Sequence, residues 1–307
     1  MRVLITGGTG FIGAALTQAL LDCGSEVTVL SRQASNDRSR CRYIRTLDEI
    51  ASTEQLDAVI NLAGASLAAS RWSAGYKREI VTSRMDITRQ VIDLVARLKR
   101  PPAVLLSASA IGFYGHHGDE RLTESSANSA VAPGFAQQLC SDWEALALQA
   151  QQFGVRVCLL RLGVVLDSGG GALVEMAKSF RFGVASWLGS GRQWLSWVHR
   201  QDVIRAIQFL LARDDLQGPF NITSPEPVTG RDFCRGLQAH HRTFIRAGVP
   251  APVLRLLVGE MAQELLLNGQ RVLPERLRAA GFDFVHSDLE SALAAIYAVT
   301  KHPQRMR

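Results

Sequence analysis

The sequence predicts an α/β protein, a doubly wound parallel sheet followed by a smaller C-terminal α+β lobe. Three observations predict it. Strand-length apolar runs at Arg2–Thr6, Glu26–Leu30 and residues 58–62 are separated by segments with helical spacing or turn residues. The first run passes directly into Gly7-Gly8-Thr9-Gly10-Phe11-Ile12-Gly13. The length, 307 residues, suits two domains, the first over 1–160 and the second over 161–307.

Composition narrows the function classes. Lys and Arg number 34 against 28 Asp and Glu, a net charge of +6, and 47% of residues are hydrophobic, as in soluble globular proteins. The basic residues are scattered, so a nucleic-acid partner is not expected. One local cluster stands out: Arg32, Arg38, Arg40, Arg42 and Arg45. Cys23, Cys41, Cys140, Cys158 and Cys234 are odd in number and form no C-x-x-C pair, which argues against a disulfide framework, against a zinc site and for a cytoplasmic protein. Apolar runs stop short of the ~18 residues of a membrane span, so neither a membrane partner nor a signal peptide is expected.

Arg2–Thr6, the glycine turn and the helical spacing of 14–23, closed by Gly24, read as strand, tight turn and helix. Gly7, Gly10 and Gly13 suit the turn, close backbone approach and helix packing. The helix start then offers unpaired N–H groups and a positive dipole end to a pyrophosphate, the Rossmann arrangement. The spacing is G-x-x-G-x-x-G rather than G-x-G-x-x-G. The second strand ends in Ser31-Arg32, with no carboxylate where an NAD-preferring fold places one on the ribose. Arg32 and Ser31 suit a 2′-phosphate, with Arg38, Arg40 and Arg42 adding positive potential, so the expected cofactor is NADP. A solvated loop is the alternative for 38–45. The third strand opens into Ala63-Gly64-Ala65, an edge where ligands bind.

Residues 6–13, 57–65 and 105–115 together resemble the extended short-chain dehydrogenase/reductases of the nucleotide-sugar epimerase group. Residues 161–166, Ser196-Trp197-Val198-His199 and Phe220-Asn221-Ile222 recur in the same order. Arg71-Trp72, Lys77, Glu79, Ser83-Arg84, Asp142-Trp143-Glu144 and Val272-Leu273-Pro274 with Gly281-Phe282 resemble the atypical, uncharacterised "epimerase family" subgroup, which has a C-terminal domain of unknown function. The resemblance implies that Gly7, Thr9, Gly10, Phe11, Ile12, Gly13, Ser31, Arg32, Leu62, Ala63, Gly64, Glu79, Arg84 and Ser107 contact the cofactor. For Glu79 and Arg84 the alternative is an ion pair on the helix surface.

The chain departs from the family at its catalytic pair. Active members carry Tyr-x-x-x-Lys, which places both side chains on one helix face. Here Phe135 stands 26 residues after Ser109 (135 − 109) and Leu139 four residues further on, so the pair is absent from the position where the family carries it; the spacing recurs only at Tyr297 and Lys301, close to the C-terminus and far from Ser109 in sequence. Ser109 and Tyr114 are then the candidate catalytic residues, with His116, His117, Asp119 and Glu120 as further sources of an acid. Against these stand a strand-end cap for Ser109, an aromatic packing role for Tyr114 and a solvated loop for the histidines.

In the second half, 168–171 reads as a flexible, lid-like loop, and Arg192, Trp194 and Trp197 as substrate contacts or, alternatively, a hairpin with two core tryptophans. Asp202 suits first-turn stabilisation of a helix over 203–212. Gly218–Ile222 returns as a strand of the first domain, and helices are expected at 172–180, 229–237 and 253–267. In the last of these a stripe of Leu254, Leu257, Val258, Met261 and Leu265 faces the core. Pro274 opens a short helix, Gly281 ends it, 282–285 is strand-like, and the tail 301–307 is frayed.

The expected function is hydride transfer with a small molecule by an NADP(H)-dependent reductase or epimerase-like enzyme, as a monomer or homodimer. The alternative is a non-catalytic NADP(H)-dependent binding or regulatory protein, favoured by the missing Tyr/Lys pair. The same absence weakens an ordinary nucleotide-sugar epimerase.

Overall fold

A computed structural model describes residues 1–32, 37–128 and 133–301. Its central sheet has seven strands: β1 (Arg2–Thr6), β2 (Glu26–Leu30), β3 (Cys41–Ile44), β4 (Ala58–Asn61), β5 (Val104–Ala110), β6 (Arg156–Leu162) and β7 (Gly218–Ile222). They lie in the order β7-β6-β5-β4-β1-β2-β3. The central strands are apolar without alternation, as strands covered on both faces require; β4 is buried at all four positions. β3 follows no apolar run in the sequence. Its Cys41 and Ile44 are buried, while Arg42 and Tyr43 between them are only partly so.

Parallel registers align the strand ends. Thr6 pairs with Leu30 on one side and with Asn61 on the other, Leu30 with Ile44, and Asn61 with Ser107. The chain builds outward from β1 to β3 and then crosses to β4 on the other side of β1. That reversal makes the C-terminal ends of β1 and β4 the switch point where such sheets bind ligands.

Helices α1 (Gly13–Asp22), α2 (Ala74–Arg97) and α3 (Phe135–Leu148) belong wholly or largely to this unit. Ser73 caps α2 by accepting from Tyr76 N, and the helix buries Ile80, Arg84, Thr88, Val91, Ile92, Leu94 and Val95, a stripe at three- and four-residue spacing. On α3, Leu139, Trp143 and Ala147 repeat every fourth residue on the buried face. Leu4, Val59, Leu105, Val157 and Leu159 from the sheet share one cluster with Val91, Leu94, Val95 and Ala147 from the helices.

The chain divides into two compact units. The first takes Met1–Phe113, Gln138–Arg161 and Ile204–Phe220; the second takes Tyr114–Gln137, Leu162–Val203 and the described residues from Asn221 onward. Segment 114–137 falls in the second unit, ahead of most of α3, and 204–220, with most of β7, falls in the first.

The second unit has a core of its own. Leu166, Phe180, Trp197, Phe233, Leu237, Leu289 and Leu293 form it, with helices Gly230–Gln238 and Leu289–Lys301 supplying the last four. Short ladders join distant segments: Trp197–His199 with Val164–Asp167, Val184–Leu188 with Ile245–Val249, Trp194–Leu195 with Val228–Thr229, and Arg121–Leu122 with Arg271–Val272. Asp202, fully buried, accepts from the backbone N–H groups of Val285 and His286 at 2.9 Å each and so anchors that segment.

Several local expectations are corrected here. The glycine loop at 168–171 is a tight hairpin: Gly170–Gly171 pairs antiparallel with Leu166 and Asp167, and Asp167 Oδ1 accepts from Gly169 N at 2.7 Å. A helix over 172–180 stops at Met176. The helix expected over 253–267 is Ala251–Val258, ended by Gly259 at φ +67°, with a separate π-helical turn over Ala262–Leu267. Leu254 is buried on it, but Leu257 is exposed. Among the described residues, 282–285 pair with no strand, and the tail beyond 301 lies outside the described residues.

Candidate functional site

The glycine turn is built by backbone contacts that exclude side chains at two positions. Gly7 has φ +70°, and a Cβ there stands 2.8 Å from the Leu62 carbonyl group at the end of β4. A Cβ on Gly13 overlaps Gly7 O and falls 2.7 Å from Gly8 Cα. Gly10 differs: its Cβ meets only Gly7 O, at 3.2 Å, so one side of it is open. Gly10 N donates to Gly7 O at 2.9 Å and Ala14 N to Gly10 O at 2.9 Å, and no side chain caps α1. The helix start, with its positive dipole end, is therefore left free of a side-chain cap, as an anion-binding turn requires.

Beneath the turn lies a buried polar network. Thr6 Oγ1 donates to Asn61 Oδ1 at 2.6 Å and accepts from Ala63 N at 3.2 Å. Asn61 Nδ2 donates to Thr88 Oγ1 at 2.9 Å and to Ser107 Oγ at 3.4 Å, and Trp143 Nε1 also donates to Thr88 Oγ1. These bonds tie β1, β4, β5, α2 and α3 at the switch point and hold residues 62–64 against Gly7. Ser107, fully buried, supports that edge from below and does not line it, a correction to its expected cofactor contact.

Arg84 is likewise a support. Its guanidinium donates to Ile80 O at 3.1 Å and Ala65 O at 3.0 Å, packs on Gly64 and lies 5.3 Å from the Trp143 ring centre, and burial pushes its pKa down. It fixes the 64–65 backbone rather than reaching toward a phosphate. Glu79 is exposed on α2, and no described contact brings it to the glycine turn.

The register sorts the arginine cluster. Parallel pairing carries the chain after β2 back to the opposite sheet end, where Val27 N donates to Arg40 O at 2.8 Å. Arg42 is engaged there by Glu54 at 3.2 Å and by Glu49 O at 3.1 Å. Arg38, Arg40 and Arg42 thus leave the cofactor end, contrary to expectation. Arg45 joins it: Ser31 N donates to Ile44 O at 2.9 Å, so exposed Arg32 and exposed Arg45 follow the C-terminal ends of neighbouring strands. Glu49 Oε1 accepts from the backbone of Arg45 and Thr46, which lowers its pKa.

At the end of β5 lies a buried charged cluster that motif reading did not assemble. Arg161 grips Glu144 through Nε at 2.9 Å and Nη2 at 2.8 Å, with the Phe113 ring centre 3.5 Å from its guanidinium carbon. Ser109 Oγ donates to Glu144 Oε1 at 2.6 Å, so the hydroxyl proton expected for a substrate is directed into this pair. Cys140, beside it, is pushed up to about 11 by burial and by Glu144, which leaves a thiol rather than a nucleophilic thiolate. The sequence signal lies in Arg161, a charge directly after the apolar run of residues 157–160, and in Glu144, a charge beside a helix's buried stripe.

In the second unit Tyr114 is fully buried and its hydroxyl donates to Asn221 Oδ1 at 2.7 Å. Asn221 N donates in turn to Glu124, whose pKa burial raises. This corrects the expectation of a catalytic acid, since the hydroxyl is spent inside a structural network. Trp197 is corrected too: it is fully buried in the core, and its Nε1 donates to Glu226 O at 3.0 Å. Trp194 is partly exposed, donating to Asp119 Oδ1 at 2.8 Å, and Arg192 is exposed beside it in sequence. His117 Nδ1 lies 2.9 Å from Glu120 Oε2. Among the described residues no cluster of His, Cys, Asp or Glu could hold a metal ion.

A doubly wound sheet with a glycine turn at its switch point, joined to an α+β unit, defines the epimerase branch of the short-chain dehydrogenase/reductase class. The profile of the NAD dependent epimerase/dehydratase family matches residues 3–223, and that of a domain of unknown function, DUF1731, matches 249–296. The chain belongs to that family, in the atypical subgroup that carries this C-terminal domain. An epimerase family protein of Mycobacterium bovis is 39% identical over 302 residues, 97% of this chain and 98% of that one. One from Staphylococcus aureus is 36% identical over 300 residues, 95% and 97% of the two chains. Among solved structures, human epimerase family protein SDR39U1 with NADPH has a TM-score of 0.85 at 31% identity, covering 97% of this chain and 99% of that one. A nucleoside-diphosphate sugar epimerase from Corynebacterium glutamicum has a TM-score of 0.77 at 30% identity, covering 97% and 58%. No helix among the described residues is long and apolar enough to cross a membrane.

Proposed function

We propose that the chain binds NADP(H) at the glycine turn and uses it for hydride transfer with a small molecule recognised by the second unit. The observation that carries the NADP preference is the pairing of exposed Arg32 and Arg45 at adjacent strand ends, where an NAD-preferring fold places a carboxylate. The open side of Gly10 and the uncapped start of α1 fit a pyrophosphate, and residues 62–64 would flank the adjacent ribose. The bound nicotinamide supplies or accepts a hydride. The human relative crystallised with NADPH supports the same cofactor.

A second reading, cofactor-dependent binding without turnover, is favoured by a specific observation. Phe135 and Leu139 stand where the family carries its proton-transfer pair, and both Ser109 and Tyr114 spend their protons inside the protein. Calorimetry with NADPH and NADH on wild type and Arg32→Ala tests the cofactor reading. NADPH is expected to bind at least tenfold tighter, ~1.4 kcal/mol, with most of the gap lost in the variant; equal affinities would refute it. Cofactor oxidation with a panel of carbonyl compounds separates the two readings, since persistent inactivity alongside tight NADPH binding supports the second.

A further inference from the structure

The ladder between Arg121–Leu122 and Arg271–Val272 joins segments 150 positions apart (271 − 121), with Arg271 paired to Arg121 and Val272 to Leu122. Leu122 and Val272 are fully buried. Side chains alternate along a strand, so the two arginines lie together on the opposite face of the ladder. Like charges directly opposite each other on paired strands repel. Neither guanidinium has an ion pair or a hydrogen bond among the described residues, and Arg271 Nε is buried with no partner.

Trp194 completes the arrangement. Arg271 stacks on its ring, the guanidinium carbon 4.3 Å from the ring centre. The indole is held by its Nε1 bond to Asp119. Of the carboxylates nearby in sequence, Asp119 accepts from Trp194 and Glu120 lies against His117, and neither forms an ion pair with Arg121 or Arg271 among the described residues. A stacked guanidinium is held in one plane with its N–H edge presented, the geometry that grips an oxyanion by two parallel bonds.

We propose that Arg121 and Arg271 form an oxyanion-recognition pair, positioned by Trp194, for a phosphate or carboxylate group on the small-molecule ligand of the second unit. The proposal rests on the reading that this unit recognises a small molecule; it does not depend on cofactor binding. The ligand anion would separate the paired charges and satisfy Arg271 Nε or its neighbouring N–H groups. Arg271 is the residue held in place, and Arg121, exposed, adds charge from the side.

The test follows the indole N–H resonance of Trp194 by NMR in the full-length protein, assigned with Trp194→Phe. Inorganic pyrophosphate and malonate are titrated separately at low salt. The expected result is a saturable shift of that resonance with one or both probes, the tighter one naming the class of anion. Arg271→Met should weaken the response at least about tenfold, the size expected for losing a charge-assisted contact, and Arg121→Gln by a smaller factor. NADPH affinity, measured in parallel, should stay unchanged in both variants and, with their melting curves, verifies folding. A Trp194 resonance that neither anion moves, or that moves equally in Arg271→Met, overturns the proposal. Loss of NADPH binding in wild type with an intact Trp194 response would count against the cofactor reading alone.

Discussion

Alanine at Gly13 and alanine at Gly10 should have opposite consequences, although the two glycines belong to one motif. At Gly13 a methyl group overlaps Gly7 O and lies 2.7 Å from Gly8 Cα. Both are backbone atoms, so no side chain can rotate away, and the turn itself must shift. Overpacking of this kind costs ~1–3 kcal/mol, and rigid backbone on two sides places Gly13→Ala at or above the upper end. At Gly10 the methyl group meets only Gly7 O at 3.2 Å, and φ is not positive. Losing glycine's freedom in the unfolded chain contributes ~0.4–1 kcal/mol in favour of Gly10→Ala, offsetting that tight contact. Its stability should stay within ~0.5 kcal/mol of wild type, the usual range for a substitution without a packing defect. NADPH binding should nevertheless weaken at least tenfold, ~1.4 kcal/mol, because the methyl group occupies the open approach to the turn. Urea unfolding of the nucleotide-free protein gives the first pair of values and calorimetry the second. Wild-type stability in Gly13→Ala, or wild-type NADPH affinity in Gly10→Ala, would refute this account of the turn.

Glu144→Gln breaks a buried two-bond ion pair and should cost ~3–5 kcal/mol in urea unfolding, while Glu144→Gln with Arg161→Met should recover much of that loss; a single variant as stable as wild type would show the pair to be dispensable. His199 is pushed down to about 4 from its ordinary 6.5 by burial and by the His286 ring 4.0 Å away, with Asp167 and Asp202 acting in the opposite sense and Arg200 in the same one. The unfolded chain therefore holds more protons between these two values, so stability should rise from pH 4 to 6.5 and level off above. His199→Gln should flatten that rise; an unchanged slope would assign it to other groups.

Much of the nucleotide unit was legible because its signals are local. A strand, a glycine turn and a helix start occupy the first 22 residues, and the turn's chemistry depends on neighbours along the chain. Buried parallel strands announce themselves as apolar runs. That Phe135 and Leu139 stand where the family carries Tyr-x-x-x-Lys is a fact of spacing, visible without any structure. β3 is not legible in the sequence, because its middle pair, Arg42 and Tyr43, breaks the apolar run that marks a buried strand.

The sequence by itself determined the class of fold, the dinucleotide turn and the loss of the family's proton-transfer pair, since each rests on residues close together in the chain. Only the tertiary structure decided which polar and aromatic residues are exposed and which are buried. Register sends Arg42 to one end of the sheet and Arg45 to the other, three positions apart. Packing of distant segments hides Tyr114 and Trp197, closes Ser109 onto Glu144 and places Arg121 opposite Arg271. Local spacing sets turns and amphipathic faces; exposure and partnership depend on which remote elements pack together, and residue type alone carries no record of that.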